Sequence, residues 1–308
     1  MSQVNEKHRP AMGRQIIEVF KSAPAGIIID ATLGDGGHAE LLLNRLDFVL
    51  YGIDCDPRAI ETSKKRLSGY GDRVIIIHGR FGDLRAIIRD EAIPSPSGIL
   101  FDLGLRSAHI DQPERGFSFS KEARLDMRMD PSQKLSAYTI VNRYEEKDIR
   151  NIISSFGEQK EATRIAGAIV KQRAKKPIET TQELANIVRA VVPICRNSDL
   201  ARVFQAFRIA VNDEICQLKN GLEAALDNLL PDGMLVVISY HSLEDREVKR
   251  FMVREEKGCI CPPDIPICRC GHSPRLRRLN KRPFTPDQAE IENNPRARSA
   301  KMRVAVKL

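Results

Sequence analysis

Four short runs that are almost wholly apolar, Gly26 to Asp30 (GIIID), Val49 to Asp54 (VLYGID), Val74 to Gly79 (VIIIHG) and Gly98 to Gly104 (GILFDLG), alternate with stretches of helical spacing in the first third of the chain. A half-exposed strand alternates apolar and polar residues, so runs without that alternation require cover on both faces, and strands separated by helices pair in parallel. The pattern predicts a doubly wound, Rossmann-like α/β domain. The next run of this kind, Met234 to Tyr240 (MLVVISY), begins 130 residues after Gly104. A parallel crossover needs only about a dozen residues, so something is inserted. Within the gap, Glu145 to Phe156, Glu161 to Lys175 and Thr181 to Val192 have helical spacing, with Thr180 or Thr181 as the cap of the last and Glu183 in its first turn. We therefore expect an inserted all-helical domain over residues 108–202, dividing the parent domain into 1–107 and 203–308. From Ala201 the spacing reads as one long helix ended by Pro231-Asp232-Gly233. A helix beginning near Ser242, a Cys- and Pro-rich loop, a basic segment from Arg275 to Phe284 and a last strand, Met302 to Leu308, follow, the strand pairing as a terminal hairpin.

With 42% hydrophobic residues in 308, the chain can bury a substantial core, which excludes disorder as its main state. No run approaches the ~18 consecutive apolar residues of a membrane span, and the start MSQVNEKHRPAMGRQ lacks a signal-peptide core. The expectation is a soluble, cytoplasmic protein. Seven cysteines, an odd number with four crowded between 259 and 270, fit a reducing compartment better than a secreted disulfide framework. The net charge of +8 suits either a polyanionic partner or plain solubility, so the placement of the charge has to decide.

The first strand runs into DATLGDGGH, Asp30 to His38, where Gly34, Gly36 and Ala39 satisfy G-x-G-x-x-A and Asp54 lies 20 residues beyond Gly34. That spacing is shared with dinucleotide-binding loops. The charges point elsewhere, because Asp30 and Asp35 sit in a turn that contains no Lys or Arg, and a pyrophosphate needs unopposed N–H donors. S-adenosylmethionine, with a cationic ammonium and sulfonium, suits an acidic turn, and Asp54 would then accept hydrogen bonds from the ribose hydroxyls. A tight strand-to-helix turn with no ligand is the plainer alternative.

Ligands of open α/β sheets lie beyond the carboxyl ends of the strands. Asp102 and Gly104 end the fourth apolar run, and Ser239, Tyr240 and His241 end the fifth. Ser242, three residues before Asp245, has the look of a helix cap, and His241 suits a structural or a functional role equally. Methyl transfer from a sulfonium is an in-line displacement that mainly needs donor and acceptor held close. An exocyclic amino acceptor is sharpened by a carboxylate that accepts its N–H bonds, and Asp102 is the candidate. A pyrimidine ring carbon would call for a nucleophilic Cys, and none is well placed, which favours amino methylation.

These residues resemble the MraW (RsmH) family of bacterial 16S ribosomal RNA cytosine-N(4) methyltransferases. The similarity runs through His8-Arg9-Pro10, DATLGDGGH (30–38), GIDCDP (52–57), HGRF (78–81), FDLG (101–104), ERGFSF (114–119), LDMRMD (125–130), FQAFRI (204–209), SYHSLEDR (239–246) and NPRARSAKMR (294–303). The resemblance implies an S-adenosylmethionine-dependent methyltransferase domain interrupted by a helical domain. It also implies methylation of the exocyclic amino group of a cytidine in the decoding region, with 16S rRNA or the small subunit as partner and a homodimer as the assembly. By the same resemblance the cofactor contacts are Gly36, Gly37, His38, Asp54, Phe81 and Asp102, with a further one at His109; Asp30 and Gly34 join them from the loop itself. Asp102, Ser239 and His241 are the candidate catalytic residues. The chain departs from the family pattern at Leu105-Arg106-Ser107, where Val-Ser-Ser is usual, and at His109, where Gln is usual. Arg106 would meet an RNA phosphate or pair with Asp111. A non-enzymatic rRNA-binding assembly factor with the same fold is the competing class, and a nicotinamide dehydrogenase a distant third.

Two basic clusters, Lys171, Arg173, Lys175 and Lys176, and Arg269, Arg275, Arg277, Arg278, Lys281 and Arg282, are candidate phosphate contacts or solvated faces. Phe117 and Phe119 beside Arg115, with Arg124, Asp126 and Arg128, suggest a loop that closes over the target base or, equally, a packing role. Cys259, Cys261, Cys268 and Cys270 form C-x-C-x6-C-x-C with His272 behind. Four thiolates could hold a structural Zn²⁺, but C-x-C is less diagnostic than C-x2-C, so reduced thiols are the default and no metal enters the predicted site.

Overall fold

The computed structural model describes residues 10–106, 112–262 and 267–308, and it divides into two compact units, 1–104 with 215–308, and 105–214. In the first unit the predicted apolar runs become β1 (Ile27–Asp30), β2 (Val49–Asp54), β3 (Val74–His78), β4 (Gly98–Asp102) and β5 (Met234–Ser239). Helices α1 (Gly13–Lys21), α2 (Gly37–Arg45), α3 (Pro57–Leu67) and α4 (Leu84–Asp90) lie among them in sequence. Two further strands, β6 (Leu276–Arg278) and β7 (Lys301–Lys307), complete a seven-stranded sheet in the order β3-β2-β1-β4-β5-β7-β6 among the described residues. The first five strands are parallel; β7 runs antiparallel to both neighbours. The expected terminal hairpin is therefore present as β6 and β7, but β7 also pairs along its length with β5.

Side chains of a strand point alternately to opposite faces, and the burial follows that period. Ile28, Leu50, Leu100, Val236 and Ile238 pack with α1 and α2 through Ile16, Phe20 and Leu42. Ile29, Ile53, Ile99, Phe101, Leu235 and Val237 pack on the other face with Leu84, Leu218, Leu222, Val248 and Phe251. Both faces are covered, which is why the strands carry no polar alternation. The strand order reverses between β1 and β4, and the cleft beyond their carboxyl ends is where open α/β sheets hold ligands.

The second unit is helical: α5 (Ala137–Arg143), α6 (Glu146–Gly157), α7 (Ala162–Arg173), α8 (Thr181–Val191) and α9 (Asn197–Asn212). Thr180 caps α8, and Glu183 answers it from the first turn, so both ends of a capping box are made. The single long helix expected from Ala201 is instead two. Asp213, in the left-handed conformation at φ 53°, separates α9 from α10 (Glu214–Asn228). The break is fixed by Asn212, whose Oδ1 accepts from Met129 N and whose Nδ2 donates to Met127 O, both at 2.8 Å. Leu200, Val203, Phe204, Phe207 and Val211 of α9 are buried with the insertion helices, and the division between the units falls after Glu214 rather than at residue 202.

Phe117 is buried in this same helical core, and Phe119 packs edge-on against Phe204, with ring centroids 5.6 Å apart. Arg115 is buried, its guanidinium donating to the carbonyls of Arg128 and Met129, while Arg128 holds Asp126 with both arms. These residues order their own loop, which answers the choice between packing and closure over a base in favour of packing. Among the described residues no helix is long and apolar enough to cross a membrane.

Candidate active site

The loop after β1 is shaped by backbone donors. Thr32 N–H donates to Asp30 Oδ1 at 3.1 Å, and Asp102 N–H donates to Thr32 Oγ1 at 2.6 Å, which fastens the end of β1 to the end of β4. Gly34 and Gly36 lie at φ 55° and 77°, a region that side chains with a Cβ rarely adopt. A Cβ on Gly36 would stand 3.2 Å from Leu67 Cδ1, so α3 closes the space as well. Asp54, at the end of β2, accepts Gly34 N–H on one oxygen and Asp56 N–H on the other, both at 2.8 Å. Its carboxylate thus fixes the glycine loop, and each oxygen can accept further bonds.

The turn itself carries no Lys or Arg. The fold brings one from α3: Arg66 grips Glu40 at 2.7 and 2.9 Å and reaches the carbonyl of Asp35 at 3.4 Å. Since Glu40 neutralises most of that charge, the loop stays acidic overall. No local pattern announces the contact, which joins residues 31 apart in sequence.

Asp30 is buried, and its Oδ2 has no hydrogen-bond partner among the described residues. Burial pushes its carboxyl from an ordinary 3.8 up to about 7; His38 and the Thr32 N–H pull it down, and the neighbouring Asp102 and Asp54 push it further up. His38, also buried, places Nε2 at 2.8 Å from the Ala11 carbonyl and Nδ1 at 3.4 Å from Asp102 Oδ2. A carbonyl only accepts, so Nε2 carries a proton, and the ring presents its other nitrogen to the Asp102 carboxylate. On the far side, Tyr240 OH donates to Asp102 Oδ1 at 2.9 Å. Burial and the adjacent Asp102 hold the Tyr240 phenol well above its usual range, so it remains a donor. Asp102 is therefore held by the Tyr240 phenol on one side, with the His38 imidazole against it on the other.

Tyr240 is a residue that the list of candidates lacked, although its place at the carboxyl end of β5 beside β4 was a usable signal. Ser239 sits one residue earlier on the buried side, where its Oγ donates to the Lys301 carbonyl of β7 at 3.4 Å. His241, rather than Ser242, is the N-cap of α11 (Ser242–Glu256): its Nδ1 accepts Glu244 N–H at 3.4 Å. Its Nε2 lies 3.1 Å from Glu244 Oε1. Ser239 and His241 thus hold the end of β5 in place, whereas Asp30, His38, Asp102 and Tyr240 converge. Phe81, just after β3, stands edge-on to Phe101 with centroids 6.0 Å apart. His109 lies outside the described residues.

The arrangement suits a cationic ligand. It offers a glycine loop with little side-chain bulk, a buried carboxyl oxygen without a partner among the described residues, and two further carboxylates at the ends of neighbouring strands. The model of the MraW methylase family matches residues 5–308. The chain belongs to that family. It is an S-adenosylmethionine-dependent methyltransferase. Among similar proteins, the ribosomal RNA small subunit methyltransferase H of Carboxydothermus hydrogenoformans is 46% identical over 304 residues, 98% of each chain. The methyltransferase of the same name from Heliobacterium modesticaldum is 42% identical over 308 residues, again 98% of each. That from Geobacter sulfurreducens is 43% identical over 307 residues, 98% of this chain and 99% of the other.

The basic clusters fare unequally. In the second, Arg275 is paired with Asp227 and with Glu255 at 3.2 Å, and Arg278 holds Glu256 with two bonds. Arg269, Arg277, Lys281 and Arg282 are exposed. In the first, Arg173 donates to the Val141 carbonyl at 2.8 Å and Lys176 meets Glu183 at 3.2 Å, while Lys171 and Lys175 are exposed.

Proposed function

We propose that this chain methylates the exocyclic N(4) amino group of a cytidine in the decoding region of 16S rRNA, in the cytoplasm, with naked rRNA or the small subunit as its partner. The observation that carries the reading is the Tyr240–Asp102–His38 row beside the glycine loop, in a chain whose relatives are named for methylation of small-subunit rRNA. S-adenosylmethionine supplies, when bound, a methyl group on a cationic sulfur. Gly34, Gly36 and Gly37 let the loop backbone approach that ligand, Asp54 receives its ribose hydroxyls, and Asp30, His38 and Phe81 complete its surroundings, with His109 as a further contact. Asp102 has two tasks at one position. It orients the donor, and it accepts an N–H of the amino group, which raises the electron density on the nitrogen and takes the proton that the nitrogen sheds. Tyr240 keeps that carboxylate aimed through its O–H. Ser239 and His241 act as positioning residues through the end of β5 and the start of α11. The exposed Arg277, Lys281 and Arg282 supply phosphate contacts, whose signature is a loss of affinity as salt rises. A homodimer is the assembly implied by resemblance.

The test is methylation of small subunits purified from a strain lacking this activity, with labelled S-adenosylmethionine and mass spectrometry of the digested rRNA. N(4)-methylcytidine is expected, and it should vanish with Asp102→Ala while RNA binding persists. No label despite intact cofactor binding would favour the assembly-factor alternative.

A further inference from the structure

Cys259, Cys261, Cys268 and Cys270 come together in the loop between α11 and β6, with all four sulfur atoms within 4.8 Å of one another. The Cys259–Cys268, Cys268–Cys270 and Cys259–Cys270 sulfur separations are 3.4, 3.5 and 3.8 Å. A tetrahedral thiolate site with Zn–S bonds of about 2.3 Å requires sulfur atoms about 3.8 Å apart, whereas a disulfide brings two of them to about 2.0 Å. The separations match the first geometry. Backbone N–H groups point at three of the sulfurs: Ile260 at Cys270 (3.5 Å), Cys261 at Cys259 (3.4 Å) and Arg269 at Cys261 (3.4 Å). Such donors stabilise thiolate charge around a metal. His272 is committed elsewhere, with Nε2 at 3.2 Å from the Arg254 carbonyl, which leaves the set as four thiols.

The surroundings supply a second, independent argument. Of the described residues from Lys257 to Pro274, none is buried. A stretch longer than about 12–15 residues with no secondary structure and no core of its own is uncommon in a compact domain unless something ties it. Its two ends are tied, by Arg275 to Glu255 and by Arg278 to Glu256, but these bonds sit at the base of the loop. Among the described residues, the tip contributes none to a buried core. A metal cross-link orders small elements that cannot bury enough surface.

We propose that these four cysteines form a closed structural site for one Zn²⁺ per chain. Four sulfur ligands fill the tetrahedral shell and leave no position for water or substrate, so the ion cross-links the loop and takes no part in methyl transfer. The four thiols lose their protons to solvent on binding, which gives a site of formal charge two minus, offset by the three N–H donors and by the neighbouring Arg269.

The experiment uses the full chain, purified under reducing conditions without chelators. Elemental analysis by mass spectrometry is expected to find one zinc per chain. The variants Cys268→Ser and Cys270→Ser should lose it, and Cys216→Ser, outside the cluster, should keep it. Reconstitution of metal-depleted protein with Co²⁺ should give the visible ligand-field bands of a tetrahedral tetrathiolate, an optical readout independent of activity. Substoichiometric zinc with no such bands would overturn the proposal, as would iron in its place, or an intact mass lower by the hydrogens lost in disulfide formation. Circular dichroism of each variant separates loss of the metal from loss of the fold.

Discussion

Replacing Asp30 by Asn removes a charge that the fold holds at a cost, and the size of the effect follows from one carboxyl. Its ordinary value of 3.8 rises to about 7 on folding, chiefly by burial. A raised folded value means that the native state binds the proton more tightly than the unfolded chain does. The resulting stabilisation is complete below 3.8 and is lost as pH rises through about 7. Linkage with those two values gives a loss of about 2.5 kcal/mol between about pH 5 and pH 8 that wild type suffers and Asp30→Asn does not. The amide keeps the bond from Thr32 N–H, and its nitrogen takes the place of the unpartnered oxygen, costing about 1–3 kcal/mol at every pH. That constant offset cancels when the two pH values are compared. Urea unfolding of the ligand-free pair at both pH values reads the difference. Parallel stability curves for wild type and variant would refute the reasoning. The same carboxyl makes a second demand. If its ionised form faces the cationic ligand, affinity for S-adenosylmethionine should rise about tenfold from about pH 6 to pH 8 in wild type and stay flat in Asp30→Asn. Calorimetric titration measures it.

Tyr240→Phe removes the donor to Asp102 Oδ1 while leaving the ring; kcat should fall about tenfold with the KM for the donor nearly unchanged, as for one lost hydrogen bond felt in the transition state. A change confined to KM would count against the positioning role. Thr180→Ala breaks the capping box of α8 and should cost about 1 kcal/mol in chemical denaturation, with methylation retained. Asp245→Ala leaves the Arg303 guanidinium, only 5% exposed, without the carboxylate that it meets at 2.7 Å. The expected loss is about 3–5 kcal/mol by the same denaturation, and a loss within error would show that solvent reaches the site.

Much of the parent fold was legible because its signal is local. Strands such as Ile27–Asp30 and Gly98–Asp102 are apolar throughout for a reason visible in the structure, namely cover on both faces. Thr180 and Glu183 announced a helix start by spacing alone. What the pattern hid was long-range. The periodicity of α9 continues into α10 with Asp213 between, and the bonds that fix the break run from Asn212 to residues more than 80 positions earlier. Helix α5 is a single short segment, Ala137–Arg143, too brief for periodicity to declare it. In the site, the acidic loop and Asp102 could be read from strand ends, whereas the Arg66 contact, the Tyr240 bond and the diversion of Ser239 toward β7 depend on which strands become neighbours. The thiol spacing C-x-C looked weak as a motif because a motif records intervals along the chain, while a ligand shell is defined by distances through space.

The position of the helical unit in the chain has a consequence for biogenesis. Residues 105–214 are contiguous, so this unit can close around its own core while later residues are still being made. The sheet cannot. Strand β4 must wait for β5, whose first residue lies 132 positions beyond Asp102, and β5 in turn for β7. During that interval the nascent chain exposes the β4 edge, a row of unpaired backbone groups flanked by Ile99, Leu100 and Phe101, the kind of template on which chains pair wrongly. Synthesis at about 5–20 residues per second would keep that edge open for many seconds. The cell is thus expected to shield this intermediate with a chaperone bound between translation of β4 and of β5, and ribosome-profiled chaperone occupancy should peak over that stretch of the message.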